Sequence, residues 1–292
     1  MTTKLALGTV QFGAAYGINN KMGRIAEGDA AAILKRAYSA GVDTLDTSQA
    51  YGESEAVLGR ILRPDAPFKV VSKFIAASGA TPQGLFAESC ARLHADRLYA
   101  FLYHRFSDFK DYPGWYEEFL RLKAGGAVEK IGFSVYYPGE ISFLLDSGVK
   151  FDIVQLPYSV FDRRFEPLLP ALRKAGVEVH VRSVFLQGLA FMKPSALPPS
   201  LAGIKGKLEQ LHTLSEKSGI PISALCLCFG SLNNCIDRVV IGVDGLADLQ
   251  SNLAGAGRKD EVAKVYDELC RLREENEEII LPFKWPSDRH SP

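Results

Sequence analysis

Charge imbalance, cysteine pairs and long apolar runs are all missing from this chain, and each absence removes a class of protein. Lys+Arg and Asp+Glu both number 34, giving a formal net charge of zero, so no long-range field draws it to a nucleic-acid backbone or an anionic membrane. The cysteines, Cys90, Cys226, Cys228, Cys235 and Cys270, are an odd set without CxxC spacing, which argues against a disulfide framework and a zinc ribbon. Buried thiols in a reducing cytosol are the reading that remains, and no metal site is predicted. Nothing approaches the roughly 18 uninterrupted apolar residues of a membrane helix, and the opening MTTKLALGTVQFG is too short and polar for a signal peptide. A cytoplasmic protein is expected. No low-complexity tail or linker divides the chain, so residues 1–292 read as one domain.

What is present is 47% hydrophobic and 23% charged residues, enough apolar matter for a sizeable core. Strand-like runs fall near Lys4–Thr9, Val42–Asp46, Lys69–Lys73, Leu98–His104, Glu129–Ser134, Phe151–Leu156, Val177–Ser183 and Arg238–Ile241. Helical patterns lie between them. GDAAAILKRAYSAG puts Ile33, Leu34, Ala37 and Tyr38 on one face, and TPQGLFAESCARLH starts with Thr81 as N-cap and Pro82 as first helical residue. Gly41, Gly148 and Gly176 each end a helix and lead straight into a strand, the left-handed position that glycine fills without strain. Helix-to-strand steps imply parallel strands joined by crossovers. The fold class predicted is α/β, a closed (β/α)8 TIM barrel. The open doubly wound sheet is the alternative, disfavoured by the lack of GxGxxG after the first strand. The Pro- and Gly-rich FLQGLAFMKPSALPPSLAG reads as a long strand-to-helix loop, and KDEVAKVYDELCRLREEN as a helix packed on the outside.

Polar residues recur at the C-terminal ends of these strands: Asp46, Lys73, His104, Ser134 and Gln155. Their separations of about 20 to 30 residues are one strand-plus-helix unit each, so a barrel would gather them in one mouth. Singly each has an ordinary explanation: a capping Asp46, a snorkelling Lys73, a satisfied structural His104. As a set with Tyr51 they point to proton transfer. An ammonium at Lys73 favours the Tyr51 phenolate, Asp46 keeps that ammonium charged, and His104 can hydrogen-bond a carbonyl oxygen. A tyrosine acid suits protonation of an alkoxide forming at a reduced carbonyl. None of these side chains can supply a hydride, so a cofactor must.

The segments DTLDTSQAYG, VVSKF, LYHRF, GFSV, VQLPYS and VVIGVDGLADLQSN, in this order, resemble the aldo-keto reductase superfamily in its short-loop bacterial form, from about Leu5 to Asn252. The resemblance implies a (β/α)8 barrel, an extended nicotinamide cofactor and reversible carbonyl reduction. Carried over by position, Asp46, Tyr51, Lys73 and His104 match the catalytic residues, with Tyr51 as proton donor. Ser134 and Gln155 match the nicotinamide carboxamide contacts. Thr9, Arg182, Ser183, Phe185, Gln187 and Gly188 match the cofactor channel up to the pyrophosphate, and Gly242, Val243, Asp244, Asp248 and Asn252 match the adenosine end.

This sequence departs from the family pattern in three places. Val135 follows Ser134 where the family has Asn, so one carboxamide contact is missing or comes from elsewhere. Arg182 falls where many members place an aromatic ring against the nicotinamide. Gly242 and Asp248 stand where strongly NADP-selective members carry the Lys and Arg that grip the 2′-phosphate. NADP(H) is the commoner cofactor of the family, NAD(H) fits the carboxylate at Asp248, and Arg238 or Arg258 would restore the former if either reached the site. The expected partner is a small carbonyl compound, polar or sugar-derived, with Arg105, Arg163, Arg164 and Arg182 permitting an anionic one. An open mouth without a C-terminal closing segment is expected, and the oligomeric state stays open. Other readings are a cofactor-binding regulatory or interaction subunit and a barrel aldolase with a Schiff base on Lys73.

Overall fold

The computed structural model describes residues 3–18, 20, 22–62 and 68–286. Strands β1 (Leu5–Gly8), β2 (Thr44–Asp46), β3 (Lys69–Phe74), β4 (Leu98–Tyr103), β5 (Val128–Ser134), β6 (Ile153–Pro157), β7 (Glu178–Arg182) and β8 (Arg238–Ile241) follow one another around a closed parallel barrel. Closure is made by β1 against β8, with Leu5 opposite Val239 and Leu7 opposite Ile241. An open doubly wound sheet would leave two edges; this one leaves none.

Local chemistry explains the joints. Gly41, Gly148 and Gly176 have φ of +83°, +67° and +74°, so each turns a helix into the next strand in a conformation that side chains resist. Thr81 Oγ1 accepts from the Gly84 amide at 3.1 Å and Pro82 opens the helix Pro82–Leu93, as the sequence predicts.

Other details differ. Tyr38 is 49% exposed, and the buried face of the helix Glu27–Ser39 is made by Ala30, Ile33, Leu34 and Ala37. The stretch read as one outer helix is two short helices, Lys259–Ala263 and Tyr266–Cys270, divided where Lys264 and Val265 bond three residues back in a tightened turn. After β7 come short 3₁₀ turns, Leu186–Phe191, Pro194–Ala196 and Pro199–Ile204. Prolines there lack the N–H that would propagate an α-helix.

The core has two compartments. The larger lies between strands and helices; around β3 to β5 it is aromatic, with Phe74 and Tyr103 ring centroids 4.7 Å apart and Phe101 and Phe119 beside them. The smaller, Val71, Ala100, Leu102 and Ile153, fills the barrel interior. At the strand starts, Glu178 accepts from Tyr99 at 2.6 Å and from Lys130, and lies 2.7 Å from His180. Chemistry is thereby left to the other end, where strands finish and the connecting loops diverge. Among the described residues, no helix is long and apolar enough to cross a membrane.

Candidate active site

Register places the polar side chains. Asp46 ends β2 opposite Gly8 of β1, Lys73 on β3 faces Leu102 of β4, and Ser134 of β5 pairs with Gln155 of β6. Lys73 is fully buried, and its ammonium donates to Asp46 Oδ1 at 2.7 Å and to the Thr47 carbonyl at 2.8 Å. Gln155 reaches across the barrel from the opposite strand, and its Nε2 donates to the same Oδ1 at 2.7 Å. That bond fixes the amide orientation, because an oxygen would be repelled by the carboxylate. It leaves Gln155 Oε1 buried without a partner.

Tyr51 sits on the turn after β2, its ring centroid 5.0 Å from Lys73 Nζ and 5.8 Å from the His104 ring, edge-on at 86°. Two glycines allow the turn to lie so close. A Cβ on Gly13 would stand 1.8 Å from the Tyr51 carbonyl oxygen, and Gly52, at φ +54°, would push one 2.7 Å from the Gly13 oxygen. His104 follows β4, its amide donating to the Phe74 carbonyl at 2.9 Å and its Nδ1 lying 2.9 Å from Ser48 Oγ.

Burial dominates the electrostatics. It pushes the Tyr51 phenol well above its ordinary range, with the Asp46 charge adding to the rise and Arg182 opposing it. Burial, with Lys73, Arg182 and Arg105 nearby, holds His104 well below 6.5, so its imidazole is neutral at pH 7. Burial lowers the Lys73 ammonium while Asp46 holds it up. The two effects on Lys73 oppose each other, with burial the larger. The cation acting against the rise at Tyr51 is Arg182, which the sequence offered as a replaced aromatic and a substrate anchor but not as a neighbour tuning Tyr51.

A cavity of about 870 Å³ opens at the strand ends. Asp46, Tyr51 and His104 line it, together with Thr9, Gln155, Arg182, Ser183, Phe185, Gln187, Gly188, Gly242, Val243, Asp244, Asp248 and Asn252. Two expected residues stand behind its wall: Lys73, sealed by Asp46, and Ser134, which is 1% exposed. Thr9 is spent on the frame, donating to the Asp46 carbonyl at 2.9 Å and bonding Ser54 Oγ at 2.8 Å. Ser183, Leu186 and Gln187 have positive φ without being glycine, a concentration of strain of the kind found where a loop is shaped for a ligand.

The arginines divide. Arg163 is held by Glu166 and the Cys270 carbonyl, and Arg164 by Asp162 and Glu277, at 2.9 and 3.1 Å; neither reaches the cavity. Arg105 and Arg182 line it. Arg238 is tied to Asp43, and Arg258 to Glu261 and the Gly219 carbonyl, so neither restores a cation at the β8 side. Asp244 there accepts from Asn20 at 3.1 Å, and Asp248 accepts from the Asp244 amide at 3.1 Å.

Several lining residues were not foreseen. Gln11, whose side-chain nitrogen a Cβ on Gly242 would meet at 2.7 Å, cradles that glycine. Tyr16 accepts from Gln187 at 2.8 Å, and its phenol is pushed up to about 12 by burial. Tyr136 lies under Arg182, and Phe283 packs edge-on against Tyr136 at 4.7 Å. Pro282 and Phe283 therefore carry the C-terminal segment to the mouth, contrary to the expected open end. Only the ring at 136, beside the GFSV motif, had a local signal; the rest depend on long-range contacts.

A closed parallel barrel with a cavity at its strand ends, lined by loops from nearly every strand, is the arrangement of the (β/α)8 enzymes. Within that class the chain belongs to the aldo/keto reductase family, whose model matches residues 4–264. It is 26% identical to an L-galactose dehydrogenase of Arabidopsis thaliana over 316 aligned positions, covering 99% of this chain and 96% of that one. An aldo-keto reductase of Bacillus halodurans in its holo form superposes with a TM-score of 0.72 over 95% of each chain at 20% identity, a likeness of fold. The protein is an NAD(P)-dependent oxidoreductase.

Proposed function

We propose that the chain reversibly reduces a polar or sugar-derived aldehyde or ketone, with Tyr51 as proton donor, acting as a single domain over residues 1–292 in the cytoplasm. The observation that carries this reading is the grouping of Tyr51, neutral His104 and the Asp46–Lys73 pair around one end of one cavity. When bound, the nicotinamide supplies a hydride to the carbonyl carbon.

The residues fit such a group. Gln155 Oε1, buried and unpartnered, is an acceptor suited to a carboxamide N–H. Gly242 and the strained segment Ser183–Gly188 both line the cavity, which suits an extended ligand. His104, with Ser48 on Nδ1, presents Nε2 to a carbonyl oxygen. Tyr51 gives its proton to that oxygen as the C–H bond forms, and the phenolate recovers one from solvent. A high pKa suits this role: the proton stays in place until an alkoxide, much more basic than a phenolate, develops beside it.

NAD(H) is the cofactor the cavity favours. Among the described lining residues the only Lys or Arg side chains are Arg105 and Arg182, while Asp244 and Asp248 stand on the β8 side, where a 2′-phosphate would meet two carboxylates. A sugar-derived substrate is supported by the name of the Arabidopsis relative and by the polar side chains of Tyr51, His104 and Arg182 on the cavity wall. The Schiff-base reading loses its nucleophile, since Lys73 is sealed from the cavity. A regulatory subunit would have no use for so complete a proton-transfer group. A panel of polar aldehydes, ketones and sugars, followed by absorbance with NADH and NADPH, tests the proposal; oxidation of neither cofactor by any of them would sink it.

A further inference from the structure

Charge around the cavity is uneven. Asp46 is spent on Lys73 and Gln155, and Asp244 and Asp248 follow β8. Across the barrel, Arg105 follows β4, and Arg182 leans from β7 to donate to the Val135 carbonyl after β5 at 3.1 Å. Its guanidinium lies over the Tyr136 ring at 4.1 Å, and that ring is backed by Phe283. So held, Arg182 has lost much of its rotamer freedom before any ligand arrives, which lowers the entropy cost of binding. Its other side-chain contact is a long one, 3.5 Å to Ser183 Oγ. No ion pair to a described residue engages Arg182 or Arg105, although the arginines at 163, 164, 238 and 258 all have carboxylate partners. Arg105 is exposed, but Arg182, a half-buried cation left without a carboxylate, is costly unless a ligand supplies the anion.

We infer that Arg182 and Arg105 form a carboxylate-binding subsite, so that the preferred substrate is a carbonyl compound bearing an acid group, in the class of the uronic and oxo acids. This rests on the carbonyl-reduction reading and narrows it. The planar fork of Arg182 suits a carboxylate presented in its plane, Arg105 adds a second positive charge at the exposed rim, and the reacting carbonyl then falls toward His104 and Tyr51.

The matched probes are D-glucuronate and D-glucose, which differ at C6 by a carboxylate against a hydroxymethyl group. Reduction kinetics with NADH and calorimetric titration are run on the wild type, Arg182→Gln, Arg182→Lys and the Arg105→Gln/Arg182→Gln pair, with melting curves to confirm folding. The wild type is expected to favour glucuronate in kcat/KM by roughly 10- to 100-fold, the worth of a charge-assisted hydrogen bond. Arg182→Gln should remove most of that ratio, Arg182→Lys part of it, and the double variant all of it. Equal use of both sugars by the wild type, or a ratio unchanged in Arg182→Gln, overturns the inference. So does a variant whose KM for NADH rises with the ratio intact, because the arginine would then hold the cofactor. If neither sugar is reduced but glucuronate alone binds, and only with Arg182 present, the subsite stands and the reductase reading fails. No turnover and no difference in binding overturns the subsite.

Discussion

Ser48 Oγ lies 2.9 Å from His104 Nδ1 and 3.1 Å from the Lys73 carbonyl oxygen. One hydroxyl proton cannot serve both. The role proposed for His104 requires the proton to go to Nδ1, which makes Nε2 the N–H, while the Lys73 oxygen keeps its bond from the Gln49 amide at 2.9 Å. On this proposal the motif DTSQAY contains, besides its acid, the group that sets the tautomer of a histidine 56 residues away.

Ser48→Ala is expected to lower kcat/KM for carbonyl reduction by about tenfold, the worth of one hydrogen bond, with cofactor affinity unchanged. Ser48→Thr should recover most of the loss. The nitrogen-15 shifts of the His104 ring report the tautomer directly, and an Nδ1–H form in the wild type would contradict this assignment.

The pH profile should be asymmetric between directions. Tyr51 is raised well above 10 by burial, so it keeps its proton through the neutral range, and reduction, which uses the phenol, should be flat from about pH 6 to 9. Oxidation needs the phenolate and should rise by roughly tenfold per pH unit over the same span. His104, held well below 6.5 by burial, confines any acid limb of the reduction rate to lower pH. A reduction rate that falls steadily between pH 7 and 9 would contradict a proton donor held above the neutral range.

Much of this was legible because barrel periodicity converts sequence spacing into position. Asp46, Lys73 and His104 occur one strand-plus-helix unit apart, and the eight strands appear where their apolar runs predict them. Side-chain direction was not legible. Four arginines on similar loops looked alike, and what separates Arg163 and Arg164 from Arg105 and Arg182 is partners such as Glu277, 113 residues from Arg164. The approach of Phe283 to Tyr136 is likewise a long-range contact that no local pattern announces. The source of electrostatic tuning at Tyr51 also escaped, because burial and the lean of Arg182 toward Val135 are tertiary facts.

Asp46→Asn leaves the Lys73 ammonium, fully buried, without its carboxylate. Breaking a buried pair from one side costs about 3–5 kcal/mol, which urea unfolding would register as a lower midpoint. Adding Lys73→Met to that variant should restore most of the stability while leaving activity lost. A double variant no more stable than Asp46→Asn alone would argue against the pair as the cause.

Asp248→Arg replaces a carboxylate on the β8 side of the cavity with a guanidinium suited to a phosphate. The ratio of kcat/KM for NADPH over NADH is expected to rise by tenfold or more, roughly one charge-assisted hydrogen bond. An unchanged ratio would place the adenosine end of the cofactor elsewhere.

The central claim is that Tyr51 donates the proton. Its most direct test is the steady-state rate of NADH oxidation with a polar aldehyde in Tyr51→Phe, beside NADH binding by fluorescence titration. The expected result is a fall in kcat of about 10² to 10⁴ with NADH affinity within about twofold of wild type, since the proposed role has the hydroxyl meet the reacting oxygen rather than the bulk of the cofactor. A Tyr51→Phe enzyme that reduces the aldehyde at the wild-type rate would contradict it.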